Sequence, residues 1–411
     1  MHVNSFVFIM VPICLTITCT AQTQQEPRPV SNVFGQLFPN PSGVNGYEEF
    51  VRAGDLALNS DACLKFENGD GYHNLSEMRL VLVDTGVRQA LMLVRAGLRK
   101  PVTSAHPVMD DETVLPELAL CRRLARLLSV EMYVQMADGK MGDAISTLGD
   151  CLKFSYLIHR DSLIGGLVSM AMDRIAVKRL ADHLDQLSVR DCDRLLTVVT
   201  DWFKAPDPSI AILDSERAST RQMLQKYRSQ PEKLLSSLLP GLKDDTEGKK
   251  QHDFLQSAFN QHPETAGPTF DQAQSMFDGF YDGITAGLRK PMWERRDIPN
   301  PKDDGSPASK LFGLIAPAFN RVTDRYGSDQ AQPQILGVHA AIHKFQWEHD
   351  RLPDNLEQVH IGTLAIDPFS GKLLIYKRID DKSYDLYSQG PMDRGTPEQP
   401  SSGQRVPVRA R

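Results

Sequence analysis

The segment HAAIH, residues 339–343, sets His339 and His343 four positions apart, the helical spacing that brings two imidazoles within reach of one metal ion. Zinc hydrolases built on this spacing need a glutamate directly after the first histidine as general base, and Ala340 stands there instead, so that mechanism fails as written. Glu348, His349 and Asp350 follow, with His360 beyond them. The plainer expectation is a run of polar residues flanking Phe345 and Trp347. Elsewhere the signals for chemistry are weaker. GDGYHN, residues 69–74, is acidic and glycine-rich but lacks the spacing of a calcium-binding loop. Gly165-Gly166 has no Gly-Lys-Ser/Thr after it to cradle a phosphate, and no Gly-x-Ser-x-Gly elbow occurs. Asp207, Asp214 and Glu216 surround a helix start, where negative charge suits the helix dipole. Arg122, Arg123 and Arg126 read as a solvated helix face. Met132, Met136, Met141, Met170 and Met172 read as core filling, with an adaptable partner groove as the sharper alternative. No cofactor and no metal are expected from these patterns.

A net charge of -6 over 411 residues leaves no basic field for nucleic acid. The first residues run apolar from Val7 to Ile17, and Cys19-Thr20-Ala21 before Gln22 fits the small-x-small rule, so 1–21 is expected to be a signal peptide cleaved after Ala21. Acylation of Cys19 is the alternative, although Thr16-Ile17-Thr18 is a poor lipobox. The apolar run is short for a membrane span, and no later segment is long and apolar enough to be one. The expected location is therefore the periplasm or cell envelope. Cys63, Cys121, Cys151 and Cys192 then remain. None forms a close pair, so they read either as buried thiols or as carrying a Cys121–Cys151 bridge.

Residues 22–44, rich in Gln, Pro, Ser and Gly, read as a linker. A helical domain is expected over 45–293, because apolar residues recur three and four apart. Helices are expected up to Asn59-Ser60, from Ser76 to Gly97, on either side of Asp138-Gly139, through SLIGGLVSMAMDRIAVKRLADHL, from a Ser188 N-cap with Asp191 at the capping-box position, and over 208–239. Residues 294–327 read as a linker and short helix, 328–349 as a last long helix, and 393–411 as a disordered tail. The helix pairs, with GDA after a break, resemble a tetratricopeptide-like unit without that family's strict repeat. The fold class expected is mainly α: a helical repeat-like bundle followed by a small α+β module of one long helix and a short antiparallel hairpin.

That module, residues 328–392, carries the most specific pattern. After the helix come Arg351-Leu352-Pro353, then Asp367-Pro368-Phe369 with Gly371 closing a turn, then an alternating strand over Leu373–Lys377 containing Tyr376. Tyr384-Asp385-Leu386-Tyr387-Ser388 alternates again before Gly390, and Asp380-Asp381-Lys382 is the hairpin tip. This order is similar to the globular domain of the major pseudopilins of type II secretion, over about a sixth of the chain. The resemblance implies a helix packed beneath a small sheet, and a calcium loop after the second strand. Here that loop reads GPMDRGTPEQPSSG, in which only Asp393 matches an acidic position, too few for the six to eight oxygens, roughly, that calcium takes. The family's processing site and long hydrophobic N-terminal helix are absent from the sequence, so no polymerising subunit is expected. The whole chain also resembles large secreted bacterial proteins that join an all-helical region to such a module, which implies architecture and not activity. The function expected is a non-catalytic protein-interaction or scaffold role in the envelope. The alternatives are an accessory component of a type II secretion or pilus-like system and a hydrolase whose site assembles from distant residues.

Overall fold

The structure, a computed structural model, describes residues 30–68, 73–106, 115–158, 162–242, 245–295, 301–316, 319–390 and 406–407. The expected signal peptide, the start of the 22–44 linker, most of GDGYHN, Asp393 and most of the tail lie outside the described residues. Among the described residues the chain is mainly helical, with a small antiparallel sheet near the C-terminus. The helices are α1 Val33–Leu37, α2 Gly46–Leu58, α3 Asp61–Asn68, α4 Leu75–Val83, α5 Thr85–Gly97, α6 Pro116–Ala137, α7 Met141–Ile158 and α8 Leu163–Ala181. They continue with α9 Val189–Phe203, α10 Ser209–Tyr227, α11 Pro231–Leu238, α12 Thr246–Gln261, α13 Ala266–Leu288, α14 Pro307–Ile315 and α15 Phe319–His349. The strands are β1 Ile375–Arg378, β2 Tyr384–Ser388 and β3 Val406–Pro407.

Several helix ends follow directly from capping chemistry. Ser188 and Asp191 close a reciprocal capping box on α9, satisfying backbone donors that the first turn leaves unpaired. Gly139 takes a φ of +72° between α6 and α7, a conformation that glycine adopts without a Cβ clash. Two long helices expected from periodicity are each split. Asp84 leaves the helical region at φ -59° and ψ 137° and accepts from Val87 N, so the Ser76–Gly97 stretch becomes α4 and α5. Pro231 at the first position of α11 has no N–H to continue α10, so 208–239 also divides. The last helix begins at Phe319, before the expected Ser328, and carries Pro333 inside it.

The described part of the 22–44 linker is structured. It contains α1, and two carboxylates on α2 anchor it. Asp55 accepts from Ser31 Oγ at 2.6 Å and Phe34 N at 2.8 Å, and Glu48 accepts from Ser42 Oγ at 2.6 Å and Gly43 N at 2.8 Å. A polar composition there supplies hydrogen-bond donors rather than slack.

Two hydrophobic cores organise the body. The first runs from α2 to α9 and includes Phe50, Leu124, Leu128, Phe154 and Leu195. It also takes in Ile335, Leu336 and Ile342 of α15, with Leu374 and Leu386 of the hairpin. The second, formed by α10–α14, contains Leu224, Leu255, Phe270, Phe277 and Phe312. Each such side chain contributes about 1.5–3 kcal/mol when fully buried. The chain thus leaves its first core after α9 and returns to it with α15. Hydrophobic contact divides it differently from an N-terminal helical domain followed by a separate module. Gly337 lets α15 approach closely, since a Cβ there would lie 2.9 Å from Val199 Cγ1 and 3.0 Å from Leu364 Cδ2. All five methionines from 132 to 172 are buried: Met132, Met136, Met141 and Met172 belong to the first core, and Met170 lies on the wall of a small cavity.

In the sheet, Tyr376 pairs with Leu386 and Arg378 with Tyr384. Tyr384, Leu386 and Ser388 point inward while Asp385 faces solvent, as a period-two strand requires. Strand β1 starts at Ile375, two residues later than expected, because Leu373 forms an isolated bridge with Ile366. Val406 and Pro407 pair with Ser388 and Tyr387, so these two residues of the expected disordered tail belong to the sheet.

Candidate functional site

Of the two histidines singled out by spacing, His339 has a structural role. His339 is fully buried on α15, and its Nδ1 lies 2.8 Å from Tyr384 Oη, bracing β2 against the helix. His343, one turn on, is half-buried, and burial lowers its pKa below the ordinary imidazole value. Among the described residues no three His, Cys, Asp or Glu side chains converge as a metal site.

The motif residues of the C-terminal part are likewise consumed in holding it together. Asp367 is fully buried and accepts from Phe369 N at 3.0 Å, Ser388 Oγ at 2.8 Å and Gln389 N at 2.8 Å. The turn after it is closed by Gly371 N donating to Asp367 O, and Gly371 takes a φ of +66° under the Trp293 ring, where any Cβ would collide. Pro368 is buried beside Asp367. Tyr376 Oη donates to Pro353 O at 2.8 Å, and Gly390 N donates to Ser388 Oγ at 3.1 Å. Gln334 of α15 donates through Nε2 to the carbonyls of Leu364 and Ile366. Arg351 remains exposed, pairing with Asp354 at 3.2 Å, and Asp385 and Tyr387 face outward or partly so.

Beside this part, an open groove of about 760 Å³ runs between the end of α15 and the 351–361 segment. Lys344, His349, Arg351, Glu357 and His360 line it. His349 stacks on Phe345 at 4.0 Å, and the Arg351 guanidinium lies 5.3 Å from the centre of the same ring. Asp350 and His360, at φ 53° and 50°, are the non-glycine residues in the left-handed region among those described. Both bracket this segment, and held backbone strain of this kind gathers at binding sites.

The strongest electrostatic feature was not legible in the sequence. Asp173 of α8 and Asp329 of α15 are 4% and 2% exposed and hydrogen-bond to each other. Ser155 Oγ of α7 contacts Asp173, and Arg174 Nε stands 3.8 Å from Asp329 Oδ1. Burial pushes both carboxyls well above the usual range, and for Asp329 the neighbouring Asp173 charge adds to it. Two carboxyls so placed cannot both ionise cheaply, so the pair holds a proton at neutral pH. The pair opens onto a cavity of about 50 Å³ at the seam between the two cores. That volume admits a few waters and no polymeric substrate. Gly166 helps close it, since a Cβ there would lie 3.1 Å from Ile212 Cδ1. A lone aspartate inside the apolar run SMAMDRIAV was the available signal for one partner, and nothing local pointed to the other.

Glu216 accepts from Leu163 N at 2.8 Å, Asp207 pairs with Arg295 at 3.0 Å, and Asp214 is exposed, so these three do not form one site. Arg123 pairs with Glu67 at 2.9 Å, whereas Arg122 is exposed. Cys63, Cys121, Cys151 and Cys192 are all buried free thiols, and burial raises each above its ordinary pKa. No family model, no curated protein and no solved structure matches this chain. Among the described residues no helix is long and apolar enough to cross a membrane.

Proposed function

We propose that this chain is a non-catalytic, exported protein of the bacterial cell envelope that holds a protein partner. In this reading the helices form a repeat-like scaffold, and the C-terminal part is a pseudopilin-like platform built into it. The observation that carries the reading is the division of labour around α15. Asp367, His339, Gln334 and Tyr376 are spent on internal hydrogen bonds, while the neighbouring groove presents charged groups and the His349 and His360 imidazoles to solvent. An open groove lined by charged and imidazole side chains suits a peptide or protein surface. The motif order also favours a secretion or pilus-like apparatus as the setting, with the groove as its docking face.

One experiment addresses export and partner together. A photo-reactive residue replaces Glu357 in the groove, and in a control chain replaces Glu264 on the second core. The expected result is a discrete adduct from position 357 and none from 264, on a periplasmic chain that begins at Gln22. A cytosolic chain retaining Met1, or equal labelling from both positions, contradicts the proposal.

A further inference from the structure

The cavity at the seam has an unusual balance of groups. Its walls are apolar side chains, among them Leu163, Met170, Ile212, Ile284 and the Trp202 ring. Its polar end is the Asp173–Asp329 pair, and Asp329 Oδ1 has no hydrogen-bond partner although it is buried. A buried acceptor without a donor is costly, and a cavity that ends in one is shaped to receive a donor. We propose that this cavity is a binding site for a small molecule carrying one protonated amine on a short apolar body. An ammonium group supplies the donor that Asp329 Oδ1 lacks, and its charge takes the place of the proton the pair holds. The alkyl part lies against Met170 and Ile212, and Trp202 and Tyr326 complete the wall.

The exchange balances. An ammonium ion enters, the shared proton leaves to solvent, and the site passes from one carboxylate and one acid to two carboxylates around one cation. Affinity therefore rises with pH as long as the amine stays protonated. The groups facing the pair are few. Arg174 comes from α8, Tyr326 from α15 and the buried Cys151 from α7, while Asp207 stands before α10. Glu216 of α10 is held by Leu163 N. Among the described residues, α9 and α13 bring Trp202, Ile284 and Leu288 to the cavity. Among the described residues Arg174, about half-exposed, is the fixed cation beside Asp329, and it does not reach hydrogen-bond distance.

The test compares ethylamine with ethanol, small enough for a cavity that admits a few waters, on the full chain, by ligand-observed magnetic resonance and by calorimetry in two buffers of different ionisation heat. The expected result at pH 8 is an amine Kd at least tenfold below that of the alcohol, with the ratio growing between pH 6 and 8 and proton release on amine binding alone. Asp329→Asn, which keeps the shape, should erase the preference, and Ile212→Trp, which fills the cavity, should abolish binding of both. Equal binding of amine and alcohol overturns the proposal, as does binding of neither. Survival of the amine preference in Asp329→Asn, or of amine binding in Ile212→Trp, places the site elsewhere and overturns it too.

Discussion

Replacing Asp367 with alanine should destabilise the chain by about 3–5 kcal/mol, because buried donors left without an acceptor each cost about 1–3 kcal/mol. The donors are Phe369 N, Ser388 Oγ and Gln389 N, and a carboxylate serves all three where a methyl group serves none. Two consequences separate this from a local loosening. The turn that Asp367 closes carries Leu374 and leads into β1, and β2 lies across it. Both strands cover residues of α15 that share the first core with α8 and α9. The loss should therefore appear in the main unfolding transition of the first core, read by urea denaturation through helical circular dichroism. Asp367→Asn should fall between, since it keeps one acceptor oxygen and turns an amide donor toward the other side. A change below about 1 kcal/mol for Asp367→Ala would show that the turn holds without its acceptor.

Asp329→Asn should act in the opposite direction at pH 8, stabilising the chain by about 1–4 kcal/mol, the range seen when buried ionic groups give way to neutral ones of similar shape. Both carboxyls of the pair bind their protons more tightly when folded than when unfolded. From about pH 4 upward the unfolded aspartates have lost theirs, so the folded state holds the excess proton and stability falls as pH rises. The fall ends once the folded pair has itself ionised. Asparagine removes one ionisation and the like-charge repulsion with it. The gain should thus be largest at alkaline pH and vanish below about pH 4, where both carboxyls are protonated in either state. Thermal unfolding of the two proteins across that range reads the difference. A variant less stable than the parent at every pH would mean that Arg174 and the pair's own hydrogen bond outweigh the burial of charge.

What the sequence made legible was local. The Ser188–Asp191 capping box, the Asp138-Gly139 break and the alternation of Tyr384, Leu386 and Ser388 are each set by chemistry within a few residues, and each is found where expected. The two helices that divide instead of continuing show the limit of periodicity. Apolar residues continue on both sides of Asp84, but the aspartate's bond to Val87 N and its contact with Ser60 Oγ at 3.0 Å favour a cap over another helical turn. The placement of α15 was hidden for another reason. Its apolar residues suit a hairpin and an α8–α9 surface equally well, and only contacts distant in the chain decide that it serves both. The acid pair was hidden for the same reason, because Asp173 and Asp329 meet only when α15 lies against α8. The His339–His343 spacing was visible, but its meaning depends on Tyr384, which arrives from β2 to occupy His339.

The central claim is that the C-terminal helix and hairpin are one folding unit with α8 and α9 rather than a module hung from them. Native-state hydrogen exchange in low urea tests it most directly, by following amides of β2 and of α15 beyond Ala331 alongside those of α8 and α9. The account predicts a single opening, in which all four elements lose protection at the same free energy and with the same dependence on urea. If β2 and α15 exchange through a separate opening at lower urea while α8 and α9 stay protected, the claim is contradicted.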